Sequence, residues 1–177
     1  MILVEADVDG EWDSHTDWRS LTEKAARAAI AHSHFAALAD SHICAEVSAK
    51  FTTDDAVREL NAAYRQKDKP TNVLSFPMLD KEELTALAGI DEIEILLGDI
   101  VLAAGICAEE AAERGISMEA HATHLVAHGI LHLLGYDHET GQRDAEEMEQ
   151  IERRALASIG IADPYPAEPG FQDQHHG

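Results

Sequence analysis

The segment His128-Gly-Ile-Leu-His-Leu-Leu-Gly-Tyr-Asp-His138 carries three imidazoles at spacings of four and six residues. On an α-helix, residues four apart lie one above the other, so His128 and His132 present two nitrogens from one face. Gly135 lets the chain leave the helix through a left-handed turn and bring His138 back as a third ligand. Three neutral imidazoles with a fourth position left for water or substrate form the donor set of catalytic zinc. The chemistry that follows is hydrolysis, because such an ion acidifies a bound water from about 15.7 toward roughly 7 and polarises the oxygen under attack. Any one of these histidines alone reads as a surface or satisfied core residue, as do His15, His32, His34, His42, His175 and His176.

The same helix carries His121 and His124 on nearly the same face. His124 is a candidate for supporting a ligand or touching substrate, while His121 is expected to be exposed or held in local contacts, outside the site. Asp137, between the second and third ligands, is a candidate for orienting a histidine or a water, and Tyr136 for packing or hydrogen bonding. The histidine spacing matches the HExxHxxGxxH of metzincin proteases, but Gly129 stands where those enzymes carry the glutamate that serves as general base. A second feature is cationic: Arg58, Arg65, Lys67 and Lys69 place four of the thirteen basic residues in one short segment. That cluster reads equally as an anion site or as a solvated helix end whose cations answer the helix dipole.

The elements that must position these residues alternate between strand and helix. A strand is expected at 2–8, a helix at 18–32 capped by Asp17, a strand at 43–53, and a helix at 54–65 capped by Thr52 or Thr53. A strand follows at 72–78, then an acidic surface excursion with a hairpin arm at 79–95. The run ILLGDIVLA (95–103) suits a strand buried on both faces. Helices follow at 105–115, ended by Gly115, from a Ser117 cap to about Leu134, and at 146–160, the last rich in exposed charge. The expected class is α+β, α/β layered: a single domain at 1–163 with a mixed sheet of about four strands packed with about five helices. Residues 164–177, with three prolines, are expected to form a flexible C-terminal tail.

Composition sets the outer limits. With 34 acidic against 13 basic residues the net charge is -21, which opposes nucleic acid and anionic membranes except where a local cationic cleft overrides the total. Cys44 and Cys107 form no CxxC pair and read as buried reduced thiols, which fits a reducing cytoplasm. The N-terminal MILVEADVDGEWD lacks the basic and apolar regions of a signal peptide, and no apolar run reaches membrane-span length, so a soluble cytoplasmic protein is expected.

HGILHLLGYDH, together with LNAAYRQKDKPTNVLSFP at 60–77 and LLGDIVLA at 96–103, resembles the YbeY family of bacterial endoribonucleases, with the motifs in order across roughly Leu60 to Glu139. The resemblance implies a single-strand-specific, metal-dependent endoribonuclease of 16S ribosomal RNA 3′-end maturation and ribosome quality control. It implies one Zn²⁺ per chain held by His128, His132 and His138 and a catalytic role for Arg65; His128 is counted as catalytic through its place on the metal, and Lys67 and Lys69 of the basic cluster are candidate RNA contacts. The partners implied are single-stranded RNA, the small ribosomal subunit, and a ribosomal protein or ribosome-associated GTPase. Many relatives carry aspartate where this chain has Asn72, so no carboxylate role carries over to that position. Two other classes stand beside this one: a metal-stabilised ribosome assembly factor that does not cut RNA, and a metzincin-like protease drawing its base from elsewhere.

Overall fold

The alternation of Ile43, Ala45, Val47, Ala49 and Phe51 with Cys44, Glu46, Ser48 and Lys50 becomes strand β2 (Ile43–Thr52), whose first set is buried. In the computed structural model, residues 1–39, 43–87, 90, 93–137 and 141–165 are described. Among the described residues four strands form one mixed sheet of order β1-β2-β4-β3. β1 (Ile2–Val8) and β4 (Ile93–Ala103) run parallel to β2, and β3 (Val73–Pro77) pairs antiparallel with β4 at the edge.

Six helices surround the sheet among the described residues: α1 (Trp18–Ala31), α2 (Asp54–Arg65), α3 (Lys81–Leu87), α4 (Ala104–Arg114), α5 (Met118–Leu133) and α6 (Gln142–Ser158). Asp17, Thr53 and Ser117 accept hydrogen bonds from the first turns of α1, α2 and α5, as their sequence positions imply. α4 has no local cap. Asp54 of α2 supplies one across space, accepting from Ile106 N–H at 3.1 Å. Gly105 makes room for it, since a Cβ there would lie 2.4 Å from the Asp54 carboxylate.

The main core lies on one face of the sheet, where α1 and α5 cover Val4, Val47, Phe51, Leu97 and Ile100 and α6 packs in turn on α1 and α5. A smaller cluster on the other face joins Val57 of α2 to Leu74, Val101 and Ala103. Among the described residues only that end of the second face is fully covered, which corrects the expectation that the run 95–103 is buried on both faces: Leu96 and Asp99 are exposed. β4 is also irregular. Its register to β2 shifts between Leu96 and Gly98, and Gly98 adopts φ 143° with no room for a side chain, a Cβ there falling 2.3 Å from the Phe76 carbonyl.

The expected surface excursion at 79–95 instead contains α3, whose Leu84 is fully buried in the main core. One apolar anchor in an acidic helix is a weak pattern, which is why the sequence reading counts five helices. Cys107 is buried, and burial together with the nearby Glu110 charge pushes its thiol up to about 12, so it is an inert core residue. Cys44, expected to be buried, is only half-buried because it lies on the less covered face of β2. Among the described residues no helix is long and apolar enough to cross a membrane.

Candidate metal centre and its hydrogen-bonded surroundings

Helix α5 packs so closely against the sheet that a side chain at position 129 would crowd its neighbours. A Cβ on Gly129 would lie 3.2 Å from Ile100 and 3.3 Å from the Ser75 hydroxyl. The Ser75 Oγ donates to the Gly129 carbonyl at 3.4 Å, completing the contact between β3 and α5. A glutamate at this position would therefore start against β4 and β3 rather than beside the imidazoles, which gives a packing reason for the absence of the protease base. Gly129→Glu is expected to lower stability by about 1–3 kcal/mol through overpacking, read as a drop in Tm. A variant melting with the wild type would contradict this account.

This close seat puts His128 and His132 side by side at the C-terminal end of α5. Their Nε2 atoms are 3.0 Å apart. Each ring is held from its other nitrogen. His128 Nδ1 donates to Glu152 Oε1 at 2.5 Å, and His132 Nδ1 donates to the Tyr136 carbonyl at 2.9 Å. The second bond depends on Gly135, which at φ 93° reverses the chain immediately after the helix and returns the Tyr136 carbonyl to the His132 ring. Carboxylate and carbonyl oxygens only accept, so in the neutral rings Nδ1 carries the proton and both facing Nε2 atoms are lone pairs. Two lone pairs at this distance repel unless they share a cation. Two nitrogen ligands of a tetrahedral zinc at about 2.0–2.1 Å lie roughly 3.3 Å from each other, so the pair fits two corners of such a site.

The expected third ligand, His138, lies outside the described residues. Among the described residues no set of three metal-ligating side chains converges, and the two imidazoles are what they supply. Asp137 is half-buried in the turn after Tyr136. Tyr136 is buried, its hydroxyl accepting from His34 N–H at 2.9 Å, and it carries the Lys81 ammonium 5.1 Å above its ring.

Glu152 does not stand out from the charged sequence of α6, yet it is fully buried. Its phase could have revealed it, because Met148, Ile151, Ala155 and Leu156 form the buried stripe of α6 and Glu152 falls inside it. Besides His128, its carboxylate accepts from His124 Nε2 at 3.1 Å and from the Tyr165 hydroxyl at 2.7 Å. Burial would raise the Glu152 carboxyl, but the hydrogen bonds from His124 and His128 outweigh it and hold the group down at about 2. Burial pushes His124 down despite its carboxylate partner, so it is a neutral donor to an ionised Glu152. Tyr165 belongs to the segment expected to be a flexible tail, of which residues 166–177 lie outside the described residues.

One turn upstream the pattern repeats. Of the two expected placements, exposed or held in local contacts, His121 takes the second: it is completely buried and its Nε2 meets Glu110 at 2.8 Å. Glu110 also accepts from Asn72 Nδ2 at 3.1 Å, while Asn72 Oδ1 accepts from Val73 N–H. The His121 hydrogen bond, opposed by desolvation and aided by Asn72, holds the Glu110 carboxyl below its ordinary range. An aspartate at position 72 would set a second carboxylate against Glu110, so asparagine suits this local network.

The cationic segment is divided. Arg58 is committed to Asp68 by a two-pronged ion pair at 2.8 and 3.3 Å, so it is not part of a four-cation anion site. Arg65, Lys67 and Lys69 are exposed at the end of α2 and in the loop after it. The buried Asn61 shapes that loop by donating to the Lys69 carbonyl at 2.8 Å and accepting from Lys67 N–H through its own carbonyl. Tyr64 stacks edge-on against Phe76 of β3, the strand whose Ser75 touches α5. β3 is thus the element shared by the basic loop and the histidine helix. Among the described residues no hydrogen bond or ion pair joins Arg65 to the histidine cluster.

The family described as Endoribonuclease YbeY matches residues 8–160. Similar curated proteins include the Endoribonuclease YbeY of Novosphingobium aromaticivorans, 51% identical with 94% of this chain and 97% of that protein covered. That of Rhizorhabdus wittichii is 52% identical, with 93% and 97% covered. The solution structure of TM1509 from Thermotoga maritima has the same fold, with a TM-score of 0.54 and 24% identity over 96% of this chain and 99% of that one. A match that spans both the histidine helix and the basic loop, at half identity over nearly the full length of these relatives, establishes that the chain belongs to the Endoribonuclease YbeY family.

Proposed function

We propose that this protein is a zinc-dependent endoribonuclease that cuts single-stranded RNA in 16S ribosomal RNA 3′-end maturation and ribosome quality control. The observation that carries the metal chemistry is the Nε2 pair of His128 and His132 at 3.0 Å, with both Nδ1 atoms tied to acceptors. His138 completes the ligand set, one Zn²⁺ per chain. The relatives named above are endoribonucleases by description, and that activity is extended here to this chain. The ion supplies Lewis-acid activation of water and of a phosphate oxygen.

The protein's own contribution is orientation and charge. Glu152 and the Tyr136 carbonyl each accept from an Nδ1–H and so aim the two imidazoles, His124 holds Glu152, and Asp137 orients groups at the third ligand. Arg65, with its planar fork, grips phosphate oxygens and offsets the charge that grows as the phosphodiester is attacked, while Lys67 and Lys69 guide the strand. With a net charge of -21 the protein relies on this loop for RNA, so binding weakens steeply with salt. The small subunit, a ribosomal protein or a ribosome-associated GTPase delivers the RNA. The protein works in the cytoplasm as one domain, residues 1–163, with 164–177 as its C-terminal extension.

Arg65→Ala is the direct test. It is expected to cut cleavage of a single-stranded RNA spanning a ribosomal 3′ end by about 10²–10³-fold, the cost of losing one transition-state donor. Zinc content and Tm should be unchanged, and a duplex of the same sequence should resist both proteins. Undiminished cleavage by the folded variant would remove Arg65 from the mechanism and bring the non-cleaving assembly factor forward.

A further inference from the structure

The chain beyond α6 turns back onto the metal-ligand helix and ends its described course at Tyr165. Arg153 secures this return. Its Nη2 donates to the Tyr165 carbonyl and its Nε to Asp163, each at 3.2 Å, and its guanidinium lies 5.5 Å from the Tyr165 ring centre. Asp163 also accepts from Tyr165 N–H at 2.7 Å. The phenol is thereby delivered edge-on against His124, with ring centres 5.6 Å apart, and its hydroxyl donates to Glu152 Oε2.

We propose that Tyr165 is a positioning residue for the metal centre, acting through Glu152 on His128. This role rests on the metal site proposed above. The terminal torsion of a glutamate is broad, so a carboxylate held at one oxygen alone can rock. Here Oε2 is pinned by two donors, Tyr165 at 2.7 Å and His124 at 3.1 Å, from different elements. That leaves Oε1 one direction, toward His128 Nδ1. A carboxylate so fixed holds the His128 ring with Nε2 facing His132, and loss of outer partners of this kind costs a metal site about 10–100-fold in affinity. The segment after α6 is therefore part of the metal centre.

The test compares wild-type protein with Tyr165→Phe after metal removal, titrating Zn²⁺ against a competing chelating dye and recording the visible spectrum of the Co²⁺-substituted forms. The expected result is Zn²⁺ affinity lower by several-fold to about tenfold in Tyr165→Phe, at unchanged stoichiometry, with a shifted Co²⁺ spectrum. A tyrosine that only packs would lower the Tm of the metal-free protein and leave affinity and spectrum alone, and that outcome overturns the proposal. Wild-type protein that takes up neither ion would overturn the metal reading itself, and this inference with it. If Tyr165→Phe does not fold, Arg153→Gln loosens the same segment while keeping the phenol. It should weaken Zn²⁺ in the same direction, and affinity equal to wild type would defeat the proposal.

Discussion

His128→Asn is expected to bring bound zinc close to zero and to reduce RNA cleavage by at least about a hundredfold, beyond the range for losing an outer partner of a ligand. Asparagine is the informative replacement, because alanine would do two things at once. His128 is both a ligand in the proposed site and one of three donors to the fully buried Glu152 carboxylate. Removing a donor from a buried carboxylate costs about 1–3 kcal/mol or more, so His128→Ala risks reporting instability instead of chemistry. An asparagine amide can still donate toward Glu152 while presenting no imidazole to a metal. Elemental analysis, circular dichroism and cleavage of single-stranded RNA on parallel preparations separate the two effects, and the variant doubles as a control for contaminating nuclease. A folded His128→Asn protein with wild-type zinc and wild-type cleavage would sink the site.

The parts of the site that were legible are those written within one helix and one turn. His128 and His132 are one helical repeat apart and Gly135 follows at the point of exit, so local geometry places them whatever the rest of the fold does. What holds them arrives from elsewhere. Glu152 is 24 residues away, in a helix so charged that its phase is easily ignored, and Tyr165 stands between prolines in a segment that composition assigns to solvent. Arg58 shows the converse error. Counted in sequence it adds to a cationic patch, but Asp68, ten residues on, neutralises it. The sheet and its alternation were readable strand by strand, whereas coverage of its second face depends on how far α2 reaches, which no strand records.

Glu152→Ala is expected to lose both stability and metal. In the metal-free protein the substitution strands the Nδ1 donor of His128, the Nε2 donor of His124 and the Tyr165 hydroxyl around a cavity, where each unsatisfied buried donor costs about 1–3 kcal/mol. Even with part of that recovered by water, a loss of about 3–5 kcal/mol follows, seen as a shifted denaturation midpoint at unchanged slope. Glu152→Gln separates shape from charge. It fills the same volume, but one end of its amide donates, and an amide N–H facing His128 Nδ1 asks that nitrogen to accept. The ring then carries its proton on Nε2, the atom that faces His132, and the lone pair needed by a metal is gone. The Gln variant should therefore keep most of its stability while its Zn²⁺ affinity falls about 10–100-fold. Affinities equal to wild type in Glu152→Gln would mean that the carboxylate only fills the core and that the imidazoles are aimed by α5 and the Gly135 turn alone.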